Sequence, residues 1–385
     1  MRRFLCLFLT IILFMPLLSW AEETNRGLTL LAVNVGKADC LILHSGESVY
    51  MIDTGSAQSW GAVSAALKLN GITALDGVIV THTDKDHAGG VWALATSSIP
   101  VGAWYASGYY CEVSEEEHPV ALAAALRGET VHWLLAGDTL PLDGGSLRVI
   151  GPTAYFDDKE NNNSLVLYAQ TDDGTMLLAG DMEQPAEELL LASGVALRAD
   201  VLKVGHHGEG DATSEAFARA VSPQVAVIST NSVDEPDTPS KRVLKALKAA
   251  GARTALTETA PGGVLVTLKQ GSATCTLESW TEPPAAITDV VITGKDNQAD
   301  TVTFENTGSA AVDLSGWFVF SDKGNEILVL PDGTVLAPGE SLTIGSLTTS
   351  ADVDLIWPDR NVWHNSKTDT AILFDVYGRE ISRFD

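Results

Sequence analysis

Residues 78–90 read Val-Ile-Val-Thr-His-Thr-Asp-Lys-Asp-His-Ala-Gly-Gly, and the fold of the whole chain turns on them. The apolar run 78–80 predicts a short buried strand that ends at Thr81. The next six residues supply His82, Asp84, Asp86 and His87, with Lys85 among them. Gly89 and Gly90 follow, and residues 91–95 are apolar enough to begin a helix. Two imidazoles and two carboxylates on a tight strand-to-helix turn can aim at one point, and that donor set suits zinc or manganese. A merely solvated polar loop does not account for so many ligating groups beside a glycine pair.

Working outward, other polar clusters stand where apolar runs stop. Asp53 follows the run 49–52, and Asp181 follows Leu177-Leu-Ala-Gly180. His206 and His207 follow the run 201–205, and Asn161, Asn162 and Asn163 precede the run 165–169. Groups at several strand ends on one edge of packed sheets would meet in space although they are distant in sequence. Further strand-like runs lie at 28–35, 41–44, 101–106, 131–135, 147–150, 176–179, 225–229, 264–268 and 274–277. Between them the pattern predicts helices at 60–69, 119–126 and 185–192, and one capped by Thr238 with Pro239 at its first position and Gly251 at its end. That mixture predicts sheets with helices outside. Glu282-Pro-Pro-Ala285 reads as a linker, and beyond it helix signals vanish. Turns near Gly308, Gly324, Gly333, Gly339 and Gly378 predict an all-β sandwich over 287–385.

With 385 residues, 45% of them hydrophobic, the chain has room for two or three domains with full cores. Its formal net charge of −26 argues against binding DNA or anionic lipid through a basic face. It does not argue against a polyanion at a metal site, where ions supply the positive charge. Residues 1–21 read as a secretory signal: Arg2 and Arg3, an apolar run over 4–18, and Ser19-Trp20-Ala21 as a cleavage site. An uncleaved anchor is the alternative. No later stretch is long and apolar enough to span a membrane. Cys40, Cys111 and Cys275 are an odd, widely spaced set that predicts neither a disulfide framework nor a metal site.

Six motifs taken together resemble the metallo-β-lactamase superfamily. They are Asn34-Val-Gly-Lys-Ala-Asp39, Met51-Ile-Asp-Thr-Gly55, the opening stretch, Asn161-Asn-Asn-Ser-Leu-Val-Leu167, Leu178-Ala-Gly-Asp-Met182 and Leu202-Lys-Val-Gly-His-His-Gly208. Within the superfamily they are similar to the branch holding the hydrolase domain of ComEC-type competence proteins and the phosphorylcholine esterases. The resemblance covers residues 27–281. It implies an α/β fold, an αββα sandwich, with two divalent metal ions, zinc or manganese, at one edge. It implies that His82 and Asp84 hold one ion, that Asp86 and His87 hold the other, and that Asp181 bridges them. His206 or His207 would complete a site and leave the other near the substrate. Asp86, Asp181 and His207 are then the expected catalytic residues. Asn161 or Asn163 would be a weak ligand or a hydrogen-bond donor to substrate, and Asp39 and Asp53 would brace the ligands from behind. The chain departs from the family pattern at Asn34, Lys37, Ala38 and Glu209, which leaves the ligands intact and the substrate open.

After a linker at 282–286, residues 287–385 resemble a lamin-tail domain. The markers include Phe304-Glu-Asn306, Val312-Asp-Leu-Ser-Gly-Trp317, Leu330-Pro-Asp-Gly-Thr334 and Val362-Trp-His-Asn365. The resemblance implies an immunoglobulin-like sandwich with Trp317 and Trp363 in its core, acting as a localising module on a cell surface or polymer. The expected function is a secreted metal-dependent phosphodiesterase, a nuclease on extracellular DNA or RNA, using a hydroxide that bridges two metals. A phosphorylcholine-esterase-like or lactonase-like hydrolase, and a non-catalytic binding protein with a vestigial site, stand as alternatives. An esterase of that kind would need an aromatic cage, for which Trp104, Tyr105, Tyr109 and Tyr110 are candidates. Lys37, Lys85, Lys159 and Lys203 fall in or beside the site motifs in a chain with only 24 Lys and Arg. They are the candidate phosphate contacts, Lys37 and Lys85 foremost.

Overall fold

The computed structural model describes residues 27–280 and 283–385, so the expected signal segment and Glu282 of the linker lie outside the described residues. The first sheet takes strands from both ends of the first region. These are β1 (Leu28–Ala32), β2 (Leu41–Ser45), β3 (Ser48–Ile52), β4 (Gly77–Val80), β5 (Trp104–Ser107) and β6 (Val131–Leu134). The second sheet takes β7 (Thr139–Leu142), β8 (Gly145–Gly151), β9 (Val166–Thr171), β10 (Gly174–Leu178), β11 (Val201–Lys203), β12 (Val225–Ile228) and β13 (Arg253–Leu256). The hairpin β14 (Val264–Lys269) and β15 (Ser272–Leu277) then returns to the first sheet beside β1. The strand orders are β15-β14-β1-β2-β3-β4-β5-β6 and β13-β12-β11-β10-β9-β8-β7.

Period-two alternation assigns each strand's side chains to one of two cores. Leu28, Leu30, Leu41, Leu43 and Ile79 point between the sheets, where they meet Leu147, Leu167, Met176 and Val227. Leu31, Ile42, Val78 and Val80 point outward, under helices α1 (Trp60–Leu69), α3 (Val91–Thr96) and α4 (Pro119–Leu126). The single turn α2 (Lys85–Ala88) lies between β4 and α3. On the far side, α5 (Gln184–Ala192), α6 (Glu215–Val221) and α7 (Lys241–Ala249) cover the second sheet through Leu190, Phe217 and Leu247. The result is a four-layered αββα sandwich.

Strands β7 and β13 were not legible in the pattern. They are the two edges of the second sheet, and edges need no apolar alternation: β13 is Arg-Thr-Ala-Leu, and β7 carries Pro141, which only an edge tolerates. The start of α7 differs from the expectation as well. Ser240, not Thr238, caps it, its hydroxyl accepting from the Arg242 amide, while the Thr238 hydroxyl donates to the Glu235 carbonyl.

Residues 290–384 form the all-β region. One sheet orders β16 (Val290–Asp296), β17 (Thr301–Asn306), β22 (Ser341–Ser346) and β23 (Leu355–Trp357). The other orders β20 (Ile327–Val329), β19 (Phe318–Ser321), β24 (Ala371–Phe374) and β25 (Glu380–Phe384), with a short pair, β18 (Val312–Asp313) and β21 (Val335–Leu336), beside them. Trp317, Trp357 and Trp363 are buried in its core, the latter two edge to face. Alternation along β19 and β24 gives that sheet a second apolar face. Val319 and Leu373 point into the sandwich, whereas Phe318, Phe320 and Ile372 join the same core cluster as residues of α1 and α3.

Candidate metal centre

The opening stretch is held in place by backbone contacts that its glycines permit. A Cβ on Gly90 would lie 2.3 Å from the Thr54 carbonyl oxygen, and one on Gly89 2.3 Å from that of Lys85. The pair therefore serves close approach, not an unusual φ. The Gly90 amide donates to the Gly55 carbonyl, the Thr54 amide to that of His87, and the Asp39 amide to that of Asp86. Three loops, at 39, 53–55 and 84–90, are thereby stitched together at one end of the first sheet.

Side-chain bonds fix how the imidazoles face. Thr81 gives its hydroxyl hydrogen to Asp53 Oδ2 (2.9 Å), so at 3.1 Å it accepts from Nδ1 of His82. Asp53 Oδ2 also takes Nδ1–H of His87 (2.8 Å), and the Ser229 carbonyl takes Nδ1–H of His207 (3.2 Å). In all three rings Nδ1 is spoken for, and Nε2 is the atom free to bind something else. His82 Nε2 is buried with no partner, as is Asp181 Oδ1. Nε2 of His87 and Nε2 of His207 lie 3.3 Å apart, each 3.2 Å from Asp181 Oδ2, and Asp86 Oδ2 is 3.3 Å from Nε2 of His207.

Asp86, His87, Asp181 and His207 thus offer four donor atoms within 4.8 Å of one another. Spacings of this size match the edge of a tetrahedron with zinc–ligand bonds of about 2.0–2.1 Å, an edge of roughly 3.3 Å. His82 lies beside the cluster, its ring centroid 4.1 Å from that of His87 and its Nε2 3.5 Å from Asp84 Oδ2. Two orphaned polar atoms, two facing imidazole nitrogens and the carboxylates between them fit a divalent cation. Burial opposes the charge on His87, but Asp181 and Asp53 push its pKa well above the ordinary value. His207 is raised to about 9 by Asp181 and Asp86 against the same burial. Burial would raise Asp86, yet the His207 and His87 imidazoles hold it down at about 2. Cations entering the site would displace the protons those imidazoles retain.

The backbone is strained where the centre is built: Asp53 (φ 59°), His206 (φ 46°) and His207 (φ 52°) all occupy the left-handed region. Two consecutive left-handed residues send the two histidines apart. His207 is fully buried in the cluster. His206 instead gives Nδ1–H to Asp211 (2.9 Å) and receives the Asn161 amide on Nε2 (3.2 Å), in a separate group with Glu183. The sequence left open which of the two completes a site; His207 is the one that joins the Asp86, His87 and Asp181 cluster.

Two further expectations change. Asn163 is buried, and its amide is consumed by the Phe156 backbone, accepting from its N–H and donating to its carbonyl, so it does not face a substrate. Asn161 bonds Glu183 and His206. Lys203 is fully buried, donates to Asp39 Oδ2 (2.6 Å), and is closed to solvent as a phosphate contact. Asp39 in turn lies 4.0 and 3.9 Å from the rings of His87 and His207, and despite its burial Lys203 and those rings hold its pKa down. Lys37 pairs with Glu209 (2.6 Å) and Lys159 lies 3.9 Å from Glu183. Lys85 is exposed and has no acidic partner among the described residues. The four aromatic cage candidates are dispersed: Trp104 is buried against Glu129, Tyr105 lies on His132, Tyr110 on His118 and Trp133, and Tyr109 on Tyr155.

Sequence reading missed Glu160. This buried carboxylate accepts from the Thr83 hydroxyl (2.7 Å) and from the Cys111 amide (2.8 Å), clamping the metal loop to the loop after β5. It carries no spacing signal beyond its place just before the three asparagines.

Known proteins match the chain in two regions. Residues 33–232 match the Metallo-beta-lactamase superfamily, and residues 282–385 match the Lamin Tail Domain. ComE operon protein 3 of Bacillus subtilis (strain 168) is 28% identical over 239 residues, covering 55% of this chain and 30% of that protein. Competence protein ComA of Neisseria gonorrhoeae is 26% identical over 220 residues, covering 57% of this chain and 29% of that protein. The chain therefore spans less than a third of the length of these curated relatives. Among solved structures, the metallo-beta-lactamase fold protein YhfI from Bacillus subtilis superposes with a TM-score of 0.42 at 13% identity, covering 62% of this chain and 98% of that one. No helix among the described residues is long and apolar enough to cross a membrane.

Proposed function

The chain belongs to the metallo-beta-lactamase superfamily, a fold of metal-dependent hydrolases, and from that premise we propose that it is a secreted phosphodiesterase acting on nucleic acid. The observation that carries the reading is the convergence of the Nε2 atoms of His87 and His207 on the Asp86 and Asp181 carboxylates, with each Nδ1 pinned from behind. Two divalent cations held there would supply an activated water and offset charge on a phosphoryl oxygen.

The protein's own groups divide the remaining work. His87, Asp86, Asp181 and His207 would hold one ion, and His82 and Asp84, with Asp181 shared, would hold the other. Charge favours two ions. Asp39, Asp53, Asp84, Asp86 and Asp181 bring five carboxylates to the site against one buried lysine, and two divalent cations together with Lys203 balance them. Asp53 and Asp39 hold the imidazoles in orientation. Lys85, exposed between Asp84 and Asp86, is positioned to receive a phosphate, and Asn161 is held at the rim by Glu183 and His206. A relative named as a competence protein favours nucleic acid as the substrate class. The dispersal of the aromatic residues disfavours a phosphorylcholine cage, which needs several rings around one cation.

The test is a substrate panel with manganese or zinc: plasmid DNA, RNA, bis-p-nitrophenyl phosphate and p-nitrophenylphosphorylcholine. The proposal expects cleavage of the nucleic acids and of the diester probe. Turnover of the phosphorylcholine ester alone would replace it.

A further inference from the structure

Beside the metal loop lies a cleft of about 360 Å³ that the proposed chemistry does not use. Its walls are Trp92 at the start of α3, Val113 in the loop after β5, and Pro119 and Leu122 of α4. Its remaining edge is the metal loop itself, through Thr83 and Lys85. The volume lies within the range of small-ligand pockets, about 300–1,000 Å³. The cleft is built, not accidental: Glu160 bonds both Thr83 and the Cys111 amide, so one buried carboxylate fixes the two walls against each other. Leu122 is 46% exposed at its mouth. Trp92 is the aromatic residue of the lining, and it is only partly buried.

We infer that this cleft receives the base of the nucleotide next to the scissile phosphate. The inference rests on the phosphodiesterase reading for its identification of the ligand. A base is flat and apolar on its faces, which suits a slot between an indole and aliphatic side chains. Its faces can stack on the part of the Trp92 indole that lines the cleft. The phosphate attached to it through the sugar falls toward Lys85, which stands between two of the proposed ligands. Glu117, also on the lining, adds an acceptor for an exocyclic amine. A lipid chain would use the apolar walls but not the lysine.

Binding separates this inference from the activity. With the full wild-type chain loaded with manganese, adenosine 5′-monophosphate and ribose 5-phosphate, monoesters with no phosphodiester to cleave, are titrated by calorimetry. The nucleotide should bind at least about tenfold more tightly, the scale of one stacked base. Adding Trp92→Ala, or the surface substitution Leu122→Asp if the first variant does not fold, should erase that difference and leave ribose 5-phosphate binding unchanged. Equal affinity for the two probes with Trp92 and Leu122 intact, or an equal loss for both in the variants, would overturn the inference. Selective nucleotide binding by a chain whose wild type cleaves no phosphodiester would leave the cleft standing and remove the proposed activity instead.

Discussion

Asp53 shows how one carboxylate can set a metal centre that it does not touch. Its Oδ2 bonds the Thr81 hydroxyl and Nδ1 of His87, and through Thr81 it also governs His82. Asp53→Ala should cut zinc affinity by about 10–100-fold, read by competition with a chromophoric chelator, the usual cost of losing such a partner. Two lysines should behave oppositely. Lys203→Met leaves Asp39 buried and unpaired and should destabilise the fold by about 3–5 kcal/mol in denaturant titration. Lys85→Ala should leave stability unchanged and raise KM for a diester substrate. The kinds of residue in the centre were legible, because His and Asp at strand ends are conspicuous. Their allocation was not. Whether His206 or His207 faces inward depends on two left-handed backbone angles, and the fates of Asn163 and Lys203 depend on neighbours 7 and 164 positions away.

At the scale of elements, the central strands announced themselves, as did the edges β6 and β15 of the first sheet, whereas the edges β7 and β13 of the second did not. Strands β3, β4, β10 and β11 are apolar because both faces are covered, whereas β7 and β13 carry proline or polar residues and need covering on fewer sides. The turn into α2 and α3 was readable from its glycine pair, and Gly90→Ala tests the reason. A Cβ there meets the Thr54 carbonyl, so the variant should lose metal affinity as the loops at 54 and 87 part, even where circular dichroism shows the fold retained. The segment leading into α4 carries a pH response of its own. Burial lowers His118 to about 4, where it packs against Tyr110 and edge-on to Trp133. Between pH 6.5 and 4 the unfolded chain binds this proton and the folded chain does not. Stability is therefore whole above pH 6.5 and is lost as pH falls toward 4. In His118→Phe, thermal melts across that window should show a shallower loss than wild type.

In the whole molecule, the all-β region is seated on the helical layer of the hydrolase sandwich. Phe318, Phe320 and Ile372 join the same core cluster as residues of α1 and α3, and Gly61 and Gly378 bring two backbones so close that a Cβ on Gly378 would lie 2.6 Å from the Gly61 Cα. Thr96 and Ser98 accept from the Val329 and Asp332 amides, and Ser64 donates to the Val376 carbonyl. A lamin-tail resemblance read from sequence implied a localising module; it held no sign of this contact, because the second apolar face of β19 and β24 looks like ordinary alternation. The expected consequence is a single cooperative unfolding transition for the chain. Phe320→Asp, which places a charge in the joint, should split it into two in calorimetry, and a wild-type chain that already melts in two separate steps would show the joint to be weak.

The account stands on the metal centre, and hydrolysis of bis-p-nitrophenyl phosphate tests it most directly. Wild type and Asp181→Ala are compared after exhaustive chelation and again after manganese or zinc is restored. The account predicts hydrolysis that vanishes with the chelator, returns with the metal, and is lost by about a thousandfold or more in Asp181→Ala. Hydrolysis by Asp181→Ala at the wild-type rate, or undiminished hydrolysis after the metal is removed, would contradict it.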